Sequence, residues 1–203
     1  MGLYVAIICA GTAMFGVAVG SWRDPLQALY TAIKFPLIVL LTTLGNGVLN
    51  GMLAPLLGTN ISFRQSLLAI FMSFTIAAAV LGAFSPLIYY LIWNTPPLSV
   101  GGKSSTTAHS FILVTVVAAI AFAGLAANVR LFQLLRQLSG SRGSARRTLV
   151  AWLAGNLFLG SQVSWILRPF VGSPSLPIEF LRDDKFRGNF FEAVYHALQR
   201  LFS

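Results

Sequence analysis

The chain has 203 residues, of which 56% are hydrophobic and only 9% are charged, and its formal net charge is +9. Because soluble domains usually carry about 25% charged residues, this composition excludes an ordinary water-soluble domain. The positive charge is expected to lie in loops that contact the anionic headgroups of a lipid bilayer. A nucleic-acid partner is not expected, because no basic patch is interleaved with stacking aromatic residues.

Five long apolar stretches predict an all-α, polytopic membrane helix bundle. About 20 apolar residues in a helix cross the roughly 30 Å hydrocarbon layer of a bilayer. Only helices and closed barrels can satisfy their backbone groups inside that layer. We therefore expect one membrane domain over residues 1–203, with transmembrane helices at about 2–21, 35–57, 65–93, 106–129 and 148–167.

The first span is predicted to pack closely against a neighbouring helix. Thr12, Gly16 and Gly20 are four residues apart, and such a ladder of small residues lets another backbone approach. After it, Asp24 and Pro25 form a good helix start. We expect a short helix at 24–34 that lies on the membrane surface, because its apolar and polar residues separate onto different faces. Its apolar face would hold Leu26, Leu29, Tyr30 and Ile33, and its polar residues are Gln27, Thr31 and Lys34.

The second and fifth spans carry the most suggestive polar residues. Two interpretations of Asn46 and Asn50 remain open: the amides form interhelical hydrogen bonds beside the close-packing residues Gly47 and Gly51, or they face a pore or ion site. We favour the packing interpretation. The fifth span holds Asn156 and Gln162. These two residues are six positions apart, so they do not share one narrow face of the helix.

Basic residues near the ends of the fourth and fifth spans are expected to contact lipid headgroups. Arg130 lies where the fourth helix continues out of the bilayer, and Arg142, Arg146 and Arg147 lie in or near a loop without acidic residues. The positive-inside rule applied to this loop places the amino terminus in the cytoplasm. The basic residues near the opposite ends of the spans favour the reverse orientation.

The segment that follows the fifth span is predicted to fold back beneath the bundle. Arg168 and Glu179 flank a proline-containing stretch that cannot form a continuous helix, so they could form an ion pair that acts as a structural clamp. A last helix at 189–202 is amphipathic and should lie on the membrane surface.

Enzymatic chemistry is not expected from this chain. It has only five Asp and Glu residues, and none of them lies in the middle of a predicted span. No nucleophile is paired with a base at a recognisable spacing. We therefore expect no catalytic residues, no metal site and no cofactor. Proton-coupled transport is also disfavoured, because it usually needs an acidic residue at bilayer depth.

Two stretches carry a family resemblance. Residues 26–93 resemble the membrane domain of the Yip family, with the polar turn Ser62-Phe63-Arg64-Gln65 between the second and third spans. The run from Gln162 to Pro174, with its Trp-x-x-Arg-Pro-Phe-x-Gly pattern, resembles a segment of uncharacterised bacterial multi-span proteins. The resemblance implies a non-enzymatic protein of the bacterial inner membrane with a cytoplasmic amino terminus.

Two functions of different classes follow from these observations. The first is a non-catalytic structural or assembly subunit that packs against other membrane proteins or against copies of itself. The alternative is a small channel or transporter lined by the polar residues of the second and fifth helices. In the first case those side chains meet other helices, and in the second case they face a continuous wet path.

Overall fold

The computed structural model describes residues 1–96, 103–172, 177–183 and 186–202, and for 103–106 and 201–202 it describes the backbone alone. Five helices in these ranges are long and apolar enough to cross a membrane, which confirms the predicted all-α membrane bundle. The described helices are α1 (Gly2–Gly20), α2 (Pro25–Leu56), α3 (Phe63–Trp93), α4 (Lys103–Ser139), α5 (Arg142–Ile166) and α6 (Phe190–Phe202).

Side-chain caps mark the starts of α2 and α3. Asp24 precedes α2, and its Oδ1 accepts a hydrogen bond of 2.8 Å from the backbone N–H of Leu26. Ser62 and Gln65 form a reciprocal capping box at α3, with bonds of 3.3 Å and 2.9 Å. These caps satisfy amide groups that have no partner within the helix. The polar turn between the second and third spans therefore has a local structural role.

The predicted surface helix at 24–34 is wrong, because these residues form the first three turns of the continuous helix α2. Gln27, Thr31 and Lys34 are fully buried, whereas Leu29 on the opposite face is exposed. The physical reason is that α1 packs directly against these turns. Gly16 lies on the Thr31 backbone. The polar face therefore points into the bundle, and the apolar face is exposed on its outside.

Glycines in α1 bring three helices into backbone contact. A Cβ atom placed on Gly20 would lie 2.6 Å from the Cα atom of Ala28 in α2. Gly11 and Gly82 pack together where α1 meets α3, since a Cβ on Gly82 would lie 3.0 Å from the Gly11 Cα atom. Any larger residue would force these helices apart. The small-residue ladder of α1 is therefore used inside the molecule.

The five long helices pack in a fixed order. Helices α2, α3, α4 and α5 are neighbours around a ring, α1 packs on α2 and α3, and α6 packs on α4 and α5. One apolar core joins α3 and α4 to Phe15, Trp22 and Val171. A second core surrounds Trp152 of α5 near the opposite end of the bundle.

Candidate functional site

Helix α2 carries seven buried polar side chains, more than any other described helix, and six of them follow one another in a row. These six are Gln27, Thr31, Lys34, Thr42, Asn46 and Asn50, and they form what we call the polar stripe of α2. Most neighbours in the stripe are three or four residues apart, which places them along one side of the helix. Polar groups inside a membrane bundle are costly, so each must find a partner or serve a function.

The first half of the stripe binds backbone carbonyl groups of the segment that follows α5. The Nε2 atom of Gln27 donates to the carbonyl oxygens of Pro169 at 3.1 Å and Phe170 at 2.9 Å. The Oγ1 atom of Thr31 lies 3.0 Å from the Phe170 carbonyl oxygen, and Lys34 Nζ donates to the Pro169 carbonyl at 2.9 Å. Residues 169–170 thus dock on α2 through their main chain.

Lys34 is a buried cation held by neutral groups. Its Nζ atom lies 5.1 Å from the ring centre of Phe180 and 5.8 Å from that of Phe170. Among the residues that the structure describes, no carboxylate comes within ion-pair distance of Lys34. Aromatic faces attract a cation by about 2 kcal/mol when both are desolvated, which offsets part of the cost of burying the charge.

Apolar contacts fix the docked segment in place. The Phe170 ring packs against Phe35 with a centroid separation of 5.4 Å, and Val171 is almost completely buried. Gly172 has a φ of +81°, and a Cβ atom there would lie 3.0 Å from the Arg23 side chain. The segment is therefore part of the bundle. Ser173 and Pro174, which end the run from Gln162 to Pro174, lie outside the described residues.

The second half of the stripe faces α5 and is poorly supplied with partners. Asn46 donates from Nδ2 to the Thr42 carbonyl at 2.9 Å, a bond within α2. The Oδ1 atoms of Asn46 and Asn50 lie close to Gly155 of α5, at 3.4 Å and 4.0 Å from the position of a Cβ atom there. Both oxygens, and the Nδ2 atom of Asn50, are buried without a hydrogen-bond partner.

The glycines next to these asparagines serve a different contact. Gly47 lies against Leu67 of α3, and Gly51 lies against the Phe63 ring of α3. The asparagines and the glycines of α2 therefore contact different neighbouring helices, because consecutive residues of a helix point about 100° apart. The glycines pack on α3, and the amides point toward α5.

The two polar residues predicted on α5 are separated. Asn156 is partly buried, and its Oδ1 atom is enclosed without a partner. Gln162 is exposed on the outside of the bundle. A pore lined jointly by Asn46, Asn50, Asn156 and Gln162 is thus not assembled, because Gln162 is exposed whereas Asn46 and Asn50 are completely enclosed.

The predicted clamp between Arg168 and Glu179 is wrong. Glu179 pairs with Arg182 at 3.3 Å. Arg168 stacks on the Trp165 ring at 3.9 Å and donates to the Trp165 and Arg187 carbonyls at 3.1 Å and 3.2 Å. Arg168 still tethers the chain near Arg187, through a backbone carbonyl.

The candidate lipid-contacting residues lie at exposed positions. Arg130, Arg142, Arg146 and Arg147 are all exposed, and the Arg130 guanidinium donates to Gln133 at 3.1 Å. Helix α6 buries Ala197 against the bundle, while Phe191 and Tyr195 remain exposed. Both sets of side chains are placed where they could meet a bilayer, and lipid contact stays a prediction for each.

The docking of residues 169–170 on α2 was missed at the sequence level. A usable signal existed, because Gln27, Thr31 and Lys34 continue at near-helical spacing toward Thr42, Asn46 and Asn50. That continuity is typical of one buried stripe on one long helix. The interpretation as a surface helix depended on the separation of polar and apolar faces, which a buried polar face produces equally well.

Fold and stripe together define a polytopic helical membrane protein. Comparison of the chain with protein-family models, with curated proteins and with solved structures gave no match. The resemblance to the Yip family therefore stays a prediction. Within the described residues, no group of three or more His, Cys, Asp or Glu side chains could hold a metal ion.

Proposed function

We propose that the protein is a non-catalytic integral membrane subunit that assembles with another membrane protein through α5. The supporting observation is that α5 is both the least apolar of the five spans and the least buried within the bundle. The best 18-residue window of α5 has a mean hydropathy of 1.3 and is 11% buried, whereas the other spans reach 1.7 to 2.4 and are 28% to 39% buried. In a lone bundle the least apolar span should be the most enclosed, because polar groups facing lipid are costly.

The surface that would meet the partner follows from which α5 residues are exposed. They recur every three or four residues and so share one side of the helix. This outer face of α5 consists of Val150, Ala154, Leu157, Phe158 and Gln162. Ala154 leaves room for a close helix approach, and Gln162 supplies a hydrogen-bonding group, which are the two features that associate membrane helices.

A photo-crosslinking residue tests this interface. Placed at Phe158, it should give an adduct of higher mass in the native membrane, and the mass shows whether the partner is a second copy or another protein. The matched control is Leu125 of α4, which is equally apolar and 69% exposed but lies on a different helix. A protein that stays monomeric in mild detergent and gives no adduct from Phe158 would overturn the proposal.

The channel or transporter is the second candidate, and it is less well supported. Its lining would need Gln162 to face α2, whereas this side chain lies on the outer face of α5. An ion flux through reconstituted protein that changes when Asn46 and Asn50 are both replaced by Leu would favour this function over the subunit.

We also propose a bacterial inner membrane with the amino terminus in the cytoplasm. Arg130, Arg142, Arg146 and Arg147 accumulate at the end of the bundle where α4 leads into α5. Lys34, which favoured the reverse orientation, is fully buried and so is not a loop charge. A cysteine at Ser141 should react with an impermeant maleimide in inside-out vesicles, and one at Gln199 in right-side-out vesicles. The reverse pattern would overturn this orientation.

A further inference from the structure

The second half of the polar stripe and the facing side of α5 enclose polar atoms that the protein itself does not satisfy. On α2 they are Thr42 Oγ1, Asn46 Oδ1, Asn50 Oδ1 and Asn50 Nδ2, and on α5 they are Thr148 Oγ1, Trp152 Nε1 and Asn156 Oδ1. A buried polar group without a partner costs about 1–3 kcal/mol. Native proteins leave only a few such groups unpaired, so a concentration of them indicates a missing partner.

Helical spacing and glycine contacts place these atoms on facing surfaces. Thr148, Trp152, Gly155 and Leu159 recur every three or four residues, so they share one face of α5. That face meets α2, because Gly155 lies next to the Asn46 and Asn50 oxygens and Leu159 lies next to Gly45. We call the contact between these two surfaces the α2–α5 seam.

The chemistry of the seam selects its occupant. Trp152 Nε1 and Asn50 Nδ2 are donors, the Asn oxygens are acceptors, and the Thr hydroxyls can act as either. None of these side chains is charged. A bare cation would be repelled by the N–H groups, and an anion would be repelled by the carbonyl oxygens. Water donates and accepts, and it is small enough to be enclosed between two packed helices.

We propose that the α2–α5 seam is a hydration site that holds ordered water molecules bridging the two helices. In the first half of the stripe, the carbonyls of Pro169 and Phe170 serve as hydrogen-bond partners. In the second half, water would take that role. A water-mediated contact is enthalpically nearly as good as a direct hydrogen bond. This inference is independent of the proposed interface, because the seam is inside the bundle and the partner would meet the opposite side of α5.

The indole N–H of Trp152 gives a direct readout. In ¹⁵N-tryptophan-labelled protein in nanodiscs, its resonance, assigned with Trp152→Phe, should show a cross-relaxation peak to a long-lived water. Trp22 is the matched control, because it is also buried but its Nε1 atom donates to the Pro96 carbonyl at 3.3 Å. An observed Trp152 resonance without a water peak would overturn the proposal.

A second measurement locates the water. Replacing both Asn46 and Asn50 by Leu should remove most of the Trp152 water peak, while Asn60→Leu, at an exposed position in the turn before α3, should leave it unchanged. A peak of unchanged intensity in the double variant would place the water outside the seam and overturn the proposal. An ion flux abolished by the same double change would overturn it too, in favour of an open path.

Discussion

At the scale of single residues, the docked segment is bound by groups that recognise main chain. Gln27 and Lys34 donate to carbonyl oxygens, and Thr31 lies within hydrogen-bond distance of one, so residues 169–170 are bound through atoms that every residue possesses. Side-chain packing adds to this binding, since the Phe170 ring packs beside the Phe35 ring. The polar stripe of α2 consequently binds a segment that has no helix or strand of its own.

We expect Gln27→Leu to lower the free energy of unfolding by about 1–3 kcal/mol, because it removes two hydrogen bonds to the docked segment. The Pro169 carbonyl keeps its bond from Lys34 and the Phe170 carbonyl keeps its bond from Thr31. Thermal denaturation in detergent measures the change. Gln137→Leu removes the same group from an exposed site on α4 and should have little effect. Equal stability of the two variants would show that the docking bonds contribute nothing.

Lys34 should respond differently to two replacements. Lys34→Met fills a similar volume without a charge, and replacing a buried ion by a packed apolar group is often neutral or stabilising. Lys34→Ala leaves a cavity beneath the Phe170 and Phe180 rings, for which large-to-small core changes suggest a loss of roughly 2–5 kcal/mol. Denaturation curves that rank Lys34→Met below Lys34→Ala would contradict the packing of this side chain against the Phe170 and Phe180 rings.

At the scale of helices, close packing depends on a small number of glycines. Gly20 and Gly16 of α1 touch the α2 backbone, and Gly11 touches the α3 backbone, so the second half of α1 is held by direct backbone contact. These contacts leave no unused small-residue face on α1 at those positions. The predicted close packing of the first span is thus made with α2 and α3 of the same chain, so these small residues do not support an external partner.

Gly20→Ala should destabilise the protein, because three backbone atoms of α2 lie within 3 Å of the new methyl group. Gly124→Ala in α4 is the control, since nothing lies within 4 Å of its Cβ position. Alanine is favoured over glycine in a helix by about 1 kcal/mol, so this control should be neutral or stabilising. The two melting temperatures should move in opposite directions, and a shared direction would contradict the close contact.

Arg168 and Glu179 should act independently. Arg168→Gln loses the stacking on Trp165 and the bond to the Arg187 carbonyl, so proteolysis near Arg187 should accelerate. Glu179→Gln weakens only the pair with Arg182. A double-mutant cycle on the cleavage rate should give a coupling energy near zero. A coupling above about 1 kcal/mol would restore the direct Arg168–Glu179 clamp.

At the scale of the whole molecule, hydropathy predicted the number of spans and the fold class because length and apolar composition suffice for both. The same signal failed at 24–34, where a polar stripe can face either water or a buried partner. Deciding between them needs the position of Pro169, 135 residues from Lys34. Local patterns contain no such long-range information. For the same reason the sequence identified Asn46 and Gln162 as polar but did not show that Asn46 is enclosed and Gln162 exposed.

The docked segment also sets an order of events during synthesis. Gln27 receives its acceptor from Phe170, which is translated 143 residues later. At about 5–20 residues per second, α2 exists for roughly 7–30 s before the carbonyls that it binds have been made. During that interval the polar side chains at the start of α2 must be hydrated at the membrane surface or shielded by the insertion machinery. These side chains are Gln27, Thr31 and Lys34. The polar stripe of α2 can obtain these carbonyl partners only after α5 and residues 169–170 have been synthesised.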